Sequence, residues 1–255
     1  MKKLLLILLM LGLTVCLIAG CGVVPPAEGE GEGEGEGEGE EETPRVVMVE
    51  IFAAKDCPYC EIVEPFLEQL AEDYSREEIV LVEQRAWGLY SSDEIKDRYK
   101  WYLPSESDRG TPNILFNGLN QRIHGSSTYA AIDGKIKLEL NKEAKISITG
   151  ISRVSDSTTT TISGTIKNIS TFTFTNLVVN GMTFKDRGST GIKYCVADIF
   201  EEQKETVSTL EPEGTYNFSI TLEGIDWDGY GYHGVIFVQA VQISTKEILQ
   251  AKYIN

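Results

Sequence analysis

The sequence predicts two folded units, an α/β unit over about residues 45–141 and an all-β unit over about residues 142–255, behind an N-terminal leader and a polar tether. Two observations predict this. In the first stretch, apolar runs of strand length alternate with apolar residues at helical spacing, the pattern of strand–helix units. After Lys142 the texture changes to short β-branched runs separated by turn residues, the pattern of a sandwich. At 255 residues the chain has room for two ordinary domains.

The leader comes first. Lys2 and Lys3 precede an apolar run over residues 4–18, the charged region and hydrophobic region of an export signal. Residues 17–21 read Leu-Ile-Ala-Gly-Cys, and small residues before a cysteine resemble a bacterial lipobox. That resemblance makes residues 1–21 a lipoprotein signal peptide, with Cys21 lipidated as the mature N-terminus. The alternative is an uncleaved membrane anchor, for which the run is slightly short. Cys16 fits less well, because bulky Val15 precedes it.

Residues 22–44 have almost nothing to bury. The Glu/Gly alternation combines backbone freedom with like-charge repulsion and predicts a disordered linker spanning on the order of 25 Å. Nine glutamates of residues 28–42 and two lysines of the leader contribute to the net charge of −16, so the remainder carries −9. It has no basic cluster, which argues against nucleic acid as a partner.

In the α/β unit, residues 46–53 form a near-continuous β-branched run suited to a central strand covered on both faces. Cys57-Pro58-Tyr59-Cys60 follows, then Ile62, Val63, Phe66, Leu67, Leu70 and Ala71 at helical spacing. Two thiols at a helix start are a device for thiol–disulfide exchange, because the helix N-terminus stabilises a thiolate. Cys57 is the expected attacking thiolate and Cys60 the resolving thiol, with Pro58 and Tyr59 tuning the pair. Further elements are expected as a strand at 79–82, a helix from the Ser91-Ser92-Asp93 cap through Tyr102, a strand at 113–116, a hairpin at Asn117-Gly118, a strand through Ile123 and a helix over about 127–140.

Three features together resemble the thioredoxin fold family over about 95 residues. Cys57-Pro58-Tyr59-Cys60 looks like the dithiol of glutaredoxins, Pro65 is placed as the helix proline of thioredoxins is, and Thr111-Pro112 before a strand looks like the family's cis-proline. The resemblance implies that the backbone at Pro112 pairs with an extended substrate segment beside Cys57, with Thr111 facing the sulfurs. Glu50 stands in an otherwise apolar strand, where an unpaired carboxylate is costly. Either it faces solvent at a strand end or it is a proton relay for Cys60; the family keeps an acid near this place, one residue closer to the first cysteine. A zinc site is the usual rival of C-x-x-C, and no second such pair or His pair exists to complete one. No metal or organic cofactor is expected.

The segment 83–109 is long and polar and carries Trp87, Tyr90, Tyr99, Trp101 and Tyr102, read as packing, with a substrate groove as the rival reading. His124 and His233 lack evident partners. In the all-β unit, strands are expected at 145–151, 158–168, 177–179 with 182–185, 193–200, 215–222, 235–243 and 248–253. Residues 164–170 and the turn at 210–214 look like immunoglobulin-like modules of exported proteins. Cys195, in a predicted strand, reads as a buried core residue; the rival reading is a third redox thiol.

The whole points to a membrane-anchored, extracytoplasmic thiol–disulfide oxidoreductase of the cell envelope acting on cysteine-containing proteins. Export to an oxidising compartment favours oxidase or isomerase work, and a reductase would need a membrane redox partner. The alternative is a non-enzymatic surface lipoprotein that uses the same fold as a scaffold.

Overall fold

Strand β1 (Val47–Ala54) alternates its apolar side chains between two covered faces, and this alternation organises the core. A computed structural model describes residues 43–188 and 191–255; the leader with Cys16 and Cys21, and the Glu/Gly run through residue 42, lie outside the described residues. On one face, Val47, Val49, Ile51 and Ala53 meet Val63, Leu67 and Leu70 of α1 (Pro58–Asp73). On the other, Met48 and Phe52 meet Tyr99 and Tyr102 of α2 (Asp93–Tyr102). Ser92 caps α2 by accepting a hydrogen bond from Ile95 N at 3.3 Å.

Strand β2 (Ile79–Trp87) pairs in parallel with β1, and β3 (Asn113–Phe116) pairs antiparallel with β1 on its other side. β4 (Gln121–His124) pairs with β3 through a turn in which Asn117 and Gly118 both have positive φ, 49° and 72°. α3 (Tyr129–Leu140) lies beside α1 and contributes Ile132 and Ile136 to the same cluster.

The rest of the chain adds β5 (Ile146–Ser155), β6 (Thr159–Asn168), β7 (Phe174–Lys185), β8 (Cys195–Ile199), β9 (Glu205–Leu210), β10 (Thr215–Glu223), a short α4 (Trp227–Tyr230), β11 (His233–Ala240) and β12 (Ile248–Ile254). Strands β10, β6 and β5 make a separate antiparallel sheet. Among the described residues, the others extend the first sheet to nine strands in the order β12-β11-β7-β8-β2-β1-β3-β4, with β9 paired to β7. The join is a short parallel pairing of β2 with β8, where Glu83 stands opposite Cys195 and Glu83 N donates to Tyr194 O at 2.8 Å.

The expected boundary near residue 142 therefore divides neither the sheet nor the core, and the chain from residue 43 onward is one compact unit. Met182, Phe184, Val196, Val235, Phe237 and Ala251 share a single apolar cluster with Met48, Phe52 and Val80. The physical reason is edge and face coverage. Alone, β2 would present an unpaired edge and the α/β unit a partly bare apolar face; β8 covers the edge, and β7, β11 and β12 complete the face. The three-stranded sheet packs Ile162, Phe218 and Ile220 against Leu177, Val179, Ile236 and Val238 of the large sheet.

Three local readings change. Segments 177–179 and 182–185 are one strand, β7, because Gly181 lets Phe200 and Ile236 approach the backbone where a Cβ would sit 2.6 and 2.7 Å from them. β2 continues past residue 82 through polar Glu83, Gln84 and Arg85, all buried. Strand β9 and helix α4 were absent from the sequence reading; β9 buries only Val207 and Leu210, too sparse a pattern to signal a strand.

Candidate redox site

The turn after β1 aims the chain at the helix. Asp56 adopts a left-handed φ of 56°, which aspartate tolerates, and Cys57 follows as the N-cap of α1. Pro58 occupies the first turn, where a missing N–H costs nothing. Cys57 Sγ accepts from Cys60 N at 3.2 Å, so the sulfur sits in the field of the helix N-terminus.

Cys57 and Cys60 form a disulfide with Cα atoms 5.3 Å apart. Their access differs: Cys60 is 1% exposed whereas Cys57 is half-buried, so only Cys57 can be reached from outside. Tyr59, 58% exposed, stands beside the pair.

The Thr111–Pro112 peptide is cis, and its loop lies against the disulfide. Thr111 Oγ1 donates to Cys57 Sγ at 3.5 Å, and the Thr111 carbonyl oxygen is also 3.5 Å from that sulfur. The loop is held from below by residues the sequence reading did not single out for this work. Gly110 O accepts from Tyr99 Oη at 2.8 Å and from Asn113 Nδ2 at 2.6 Å, and Arg122 Nε donates to Asn113 Oδ1 at 2.7 Å. A buried asparagine at the start of a strand was the available signal.

Glu50 requires a correction. It shares strand parity with Met48 and Phe52, so it points to the α2 face, whereas Cys60 belongs to the α1 face. It is fully buried rather than at a solvated strand end. Its carboxylate accepts from Arg98 Nε at 2.7 Å, Gln84 Nε2 at 2.8 Å and Tyr102 Oη at 2.7 Å. It is one half of a structural ion pair and has no path to Cys60 on its own face of the sheet.

The carboxylates on the dithiol face are different ones. A cleft of about 300 Å3 beside the sulfurs is lined by Asp56, Cys57, Cys60, Glu61, Glu64 and Arg85, among others. Arg85 Nη1 donates to Glu64 Oε1 at 3.2 Å and to Glu83 Oε1 at 2.5 Å. Burial pushes the Glu64 carboxyl above its ordinary value, opposed by Arg85. Burial likewise pushes Glu83 up to about 7, reinforced by Glu64 and opposed by Arg85. Three consecutive polar residues inside a buried strand were the signal for this cluster.

Cys195 is fully buried beside Glu83, and burial raises its thiol pKa against the pull of Arg187. Of the aromatics in the long segment, Tyr99 stacks on Phe52 at 4.3 Å and Tyr102 is buried, while Trp87 is 46% exposed. His124 packs against Gly110, and His233 Nδ1 lies 2.6 Å from Tyr253 Oη. Among the described residues no three His, Cys, Asp or Glu side chains are grouped as metal ligands, and no helix is long and apolar enough to cross a membrane.

No family model matches the sequence, and no curated protein matches it. Among solved structures, the chain is similar to HBP35 of Porphyromonas gingivalis, a thioredoxin-fold protein, with a TM-score of 0.64 and 13% identity over 82% of this chain and 74% of that one. A domain of the outer membrane lipoprotein Omp28 from Porphyromonas gingivalis matches 44% of this chain and 88% of its own at 17% identity and a TM-score of 0.31. β-Glucosidase 3B from Thermotoga neapolitana matches 44% of this chain and 16% of its own at 10% identity and a TM-score of 0.28. The last two likenesses are too partial to bear on activity. The first establishes the fold: a mixed α/β architecture similar to a thioredoxin-fold protein, carrying a cysteine pair of C-x-x-C spacing.

Proposed function

We propose that this chain is an extracytoplasmic thiol–disulfide oxidoreductase acting on protein cysteines, tethered to a membrane through a lipid on Cys21. The observation that carries the reading is the asymmetry of the pair at the mouth of α1: Cys57 half-buried beside Thr111, Cys60 sealed behind it. In this reading residues 45–141 are the thioredoxin-like part, and the β-rich remainder is an immunoglobulin-like addition sharing its sheet.

In the oxidising direction a substrate thiolate attacks Cys57 Sγ, the Cys57–Cys60 bond breaks, and its electron pair leaves on Cys60 Sγ. A second substrate thiolate then attacks the substrate sulfur of the mixed disulfide and expels Cys57 as thiolate. The substrate loses two electrons and two protons and gains a disulfide, and the Cys57–Cys60 pair becomes a dithiol. The reducing direction is the reverse, with Cys60 attacking the mixed disulfide. Thr111 and Pro112 flank the sulfur that a substrate segment must approach. The export signal and the lipobox-like residues support placement in an oxidising envelope compartment.

Insulin reduction and refolding of reduced ribonuclease, each with Cys57→Ser as control, test the reading. Loss of both activities in the variant is expected. Equal behaviour of variant and parent would instead favour a binding lipoprotein that uses this fold as a scaffold.

A further inference from the structure

The exchange leaves one proton to be placed. Cys60 is 1% exposed, so when the disulfide opens its sulfur becomes a thiolate shut away from solvent, a costly state in buried surroundings. Glu50 points to the other face of the sheet. Among the described residues, three carboxylates line the cleft against the sulfurs, those of Asp56, Glu61 and Glu64. Asp56 and Glu61 are exposed, whereas Glu64 is half-buried.

Glu64 follows Cys60 by four residues on α1. That spacing places two side chains on one helix face with Cβ atoms about 5–6 Å apart. The carboxylate is held from β2 by Arg85, whose Nη1 bridges Glu64 and Glu83, and Arg85 Nε is buried without a partner among the described residues. A carboxyl group held beside a sealed thiol, within one cleft, is the arrangement a local proton transfer needs.

We infer that Glu64 carries the proton of Cys60 and that Arg85 is the positioning residue that holds the Glu64 carboxylate in the cleft. The inference rests on the thiol–disulfide reading above. In the oxidising direction the Glu64 carboxylic acid gives its proton to Cys60 Sγ as that sulfur leaves Cys57. In the reducing direction the Glu64 carboxylate takes the proton from Cys60 while Cys60 Sγ attacks Cys57 Sγ and the substrate thiolate departs. Among the described residues, the charged groups around Glu64 are Glu61 and Glu68 on its own helix, Arg85 and Glu83 from β2, and Lys55 and Asp56 from the turn before α1; Cys195 of β8 pairs in register with Glu83. Burial holds the Glu64 carboxyl above its ordinary range, closer to the pH at which thiols exchange.

The test uses the full chain in detergent with Cys16→Ser, Cys21→Ser and Cys195→Ser, so that the two thiols of the pair remain. The reduced protein is mixed with an aromatic disulfide, dithiobis-nitrobenzoate, in a stopped-flow instrument. The first release of coloured thiolate reports attack by Cys57, and the second reports Cys60 resolving the mixed disulfide. Glu64→Gln is expected to slow the second phase at pH 7 by at least about tenfold, to remove its carboxyl inflection, and to leave the first phase within about twofold. An unchanged rate and pH profile of the second phase in Glu64→Gln overturns the inference. Should that variant not fold, the parent profile decides: a second phase whose logarithm rises at unit slope across the acid and neutral range, without inflection, overturns it equally. A parent that shows no second phase sinks the oxidoreductase reading itself, and this inference with it.

Discussion

Arg98 Nε donates to Glu50 Oε1 at 2.7 Å inside the core, joining α2 to β1 on the face of the sheet away from the dithiol. Tyr102 and Gln84 complete the shell around the carboxylate, and Arg98 also donates to Tyr102 Oη at 2.8 Å. Removing one partner strands the other as a buried unpaired charge, which typically costs about 3–5 kcal/mol. Arg98→Met and Glu50→Leu should each lower stability by that order in urea melts. Glu50→Gln should leave the pH profile of thiol exchange unaltered, since its carboxylate does not face Cys60.

Glu83 makes stability depend on pH in an unusual direction for a carboxyl. It ionises near its ordinary value of about 4.5 in the unfolded chain and near 7 in the fold, where burial dominates. Between those values the folded chain binds the extra proton, so stability contributed by this group is full below about pH 4.5 and is lost as pH rises through 7, at most about 3 kcal/mol. Urea melts at pH 5 and pH 8 should show Glu83→Gln removing that part of the difference. A variant with the same pH slope as the parent would refute the assignment.

Because β8 pairs with β2 and the cluster around Met48 and Phe52 includes Met182, Phe184, Val235 and Phe237, the two halves of the chain share one core. Residues 45–141 expressed alone should lack a cooperative melt and should bind a hydrophobic dye, because a β2 edge and an apolar sheet face are uncovered. The intact chain should unfold in a single transition by both far-ultraviolet and tryptophan signals.

Gly118 sits in the β3–β4 turn at φ +72°, and a Cβ there would lie 2.2 Å from Lys246 O. Backbone cannot yield as a flexible side chain can, and the turn also carries the Leu119 N to Thr245 O hydrogen bond at 2.7 Å. Gly118→Ala should cost about 2–3 kcal/mol from left-handed strain and overpacking together. Differential scanning calorimetry checks it, and a change in melting temperature of less than a degree would exclude this close approach.

Much of the α/β half was legible because its signals are local. A β-branched run, cysteines before a helical stripe, Ser92 as a cap, Thr111-Pro112 before a strand and Asn117-Gly118 each constrain their own few residues, and the corresponding elements form where those constraints act. β9 was not legible, since an outer strand with two buried residues has little hydrophobic pattern to show.

The sequence by itself determined that one strand delivers two thiols to a helix start, because strand propensity, helical spacing and the proline after Cys57 act over a few bonds. Only the tertiary structure decided which carboxylate shares a face with Cys60. Alternation along β1 separates Glu50 from Val49 and Ile51, but which face receives α1 depends on how distant segments pack. The same holds for β8, whose place beside β2 arises from edge pairing across more than a hundred residues, a choice made by the free energy of the whole sheet rather than by either strand alone.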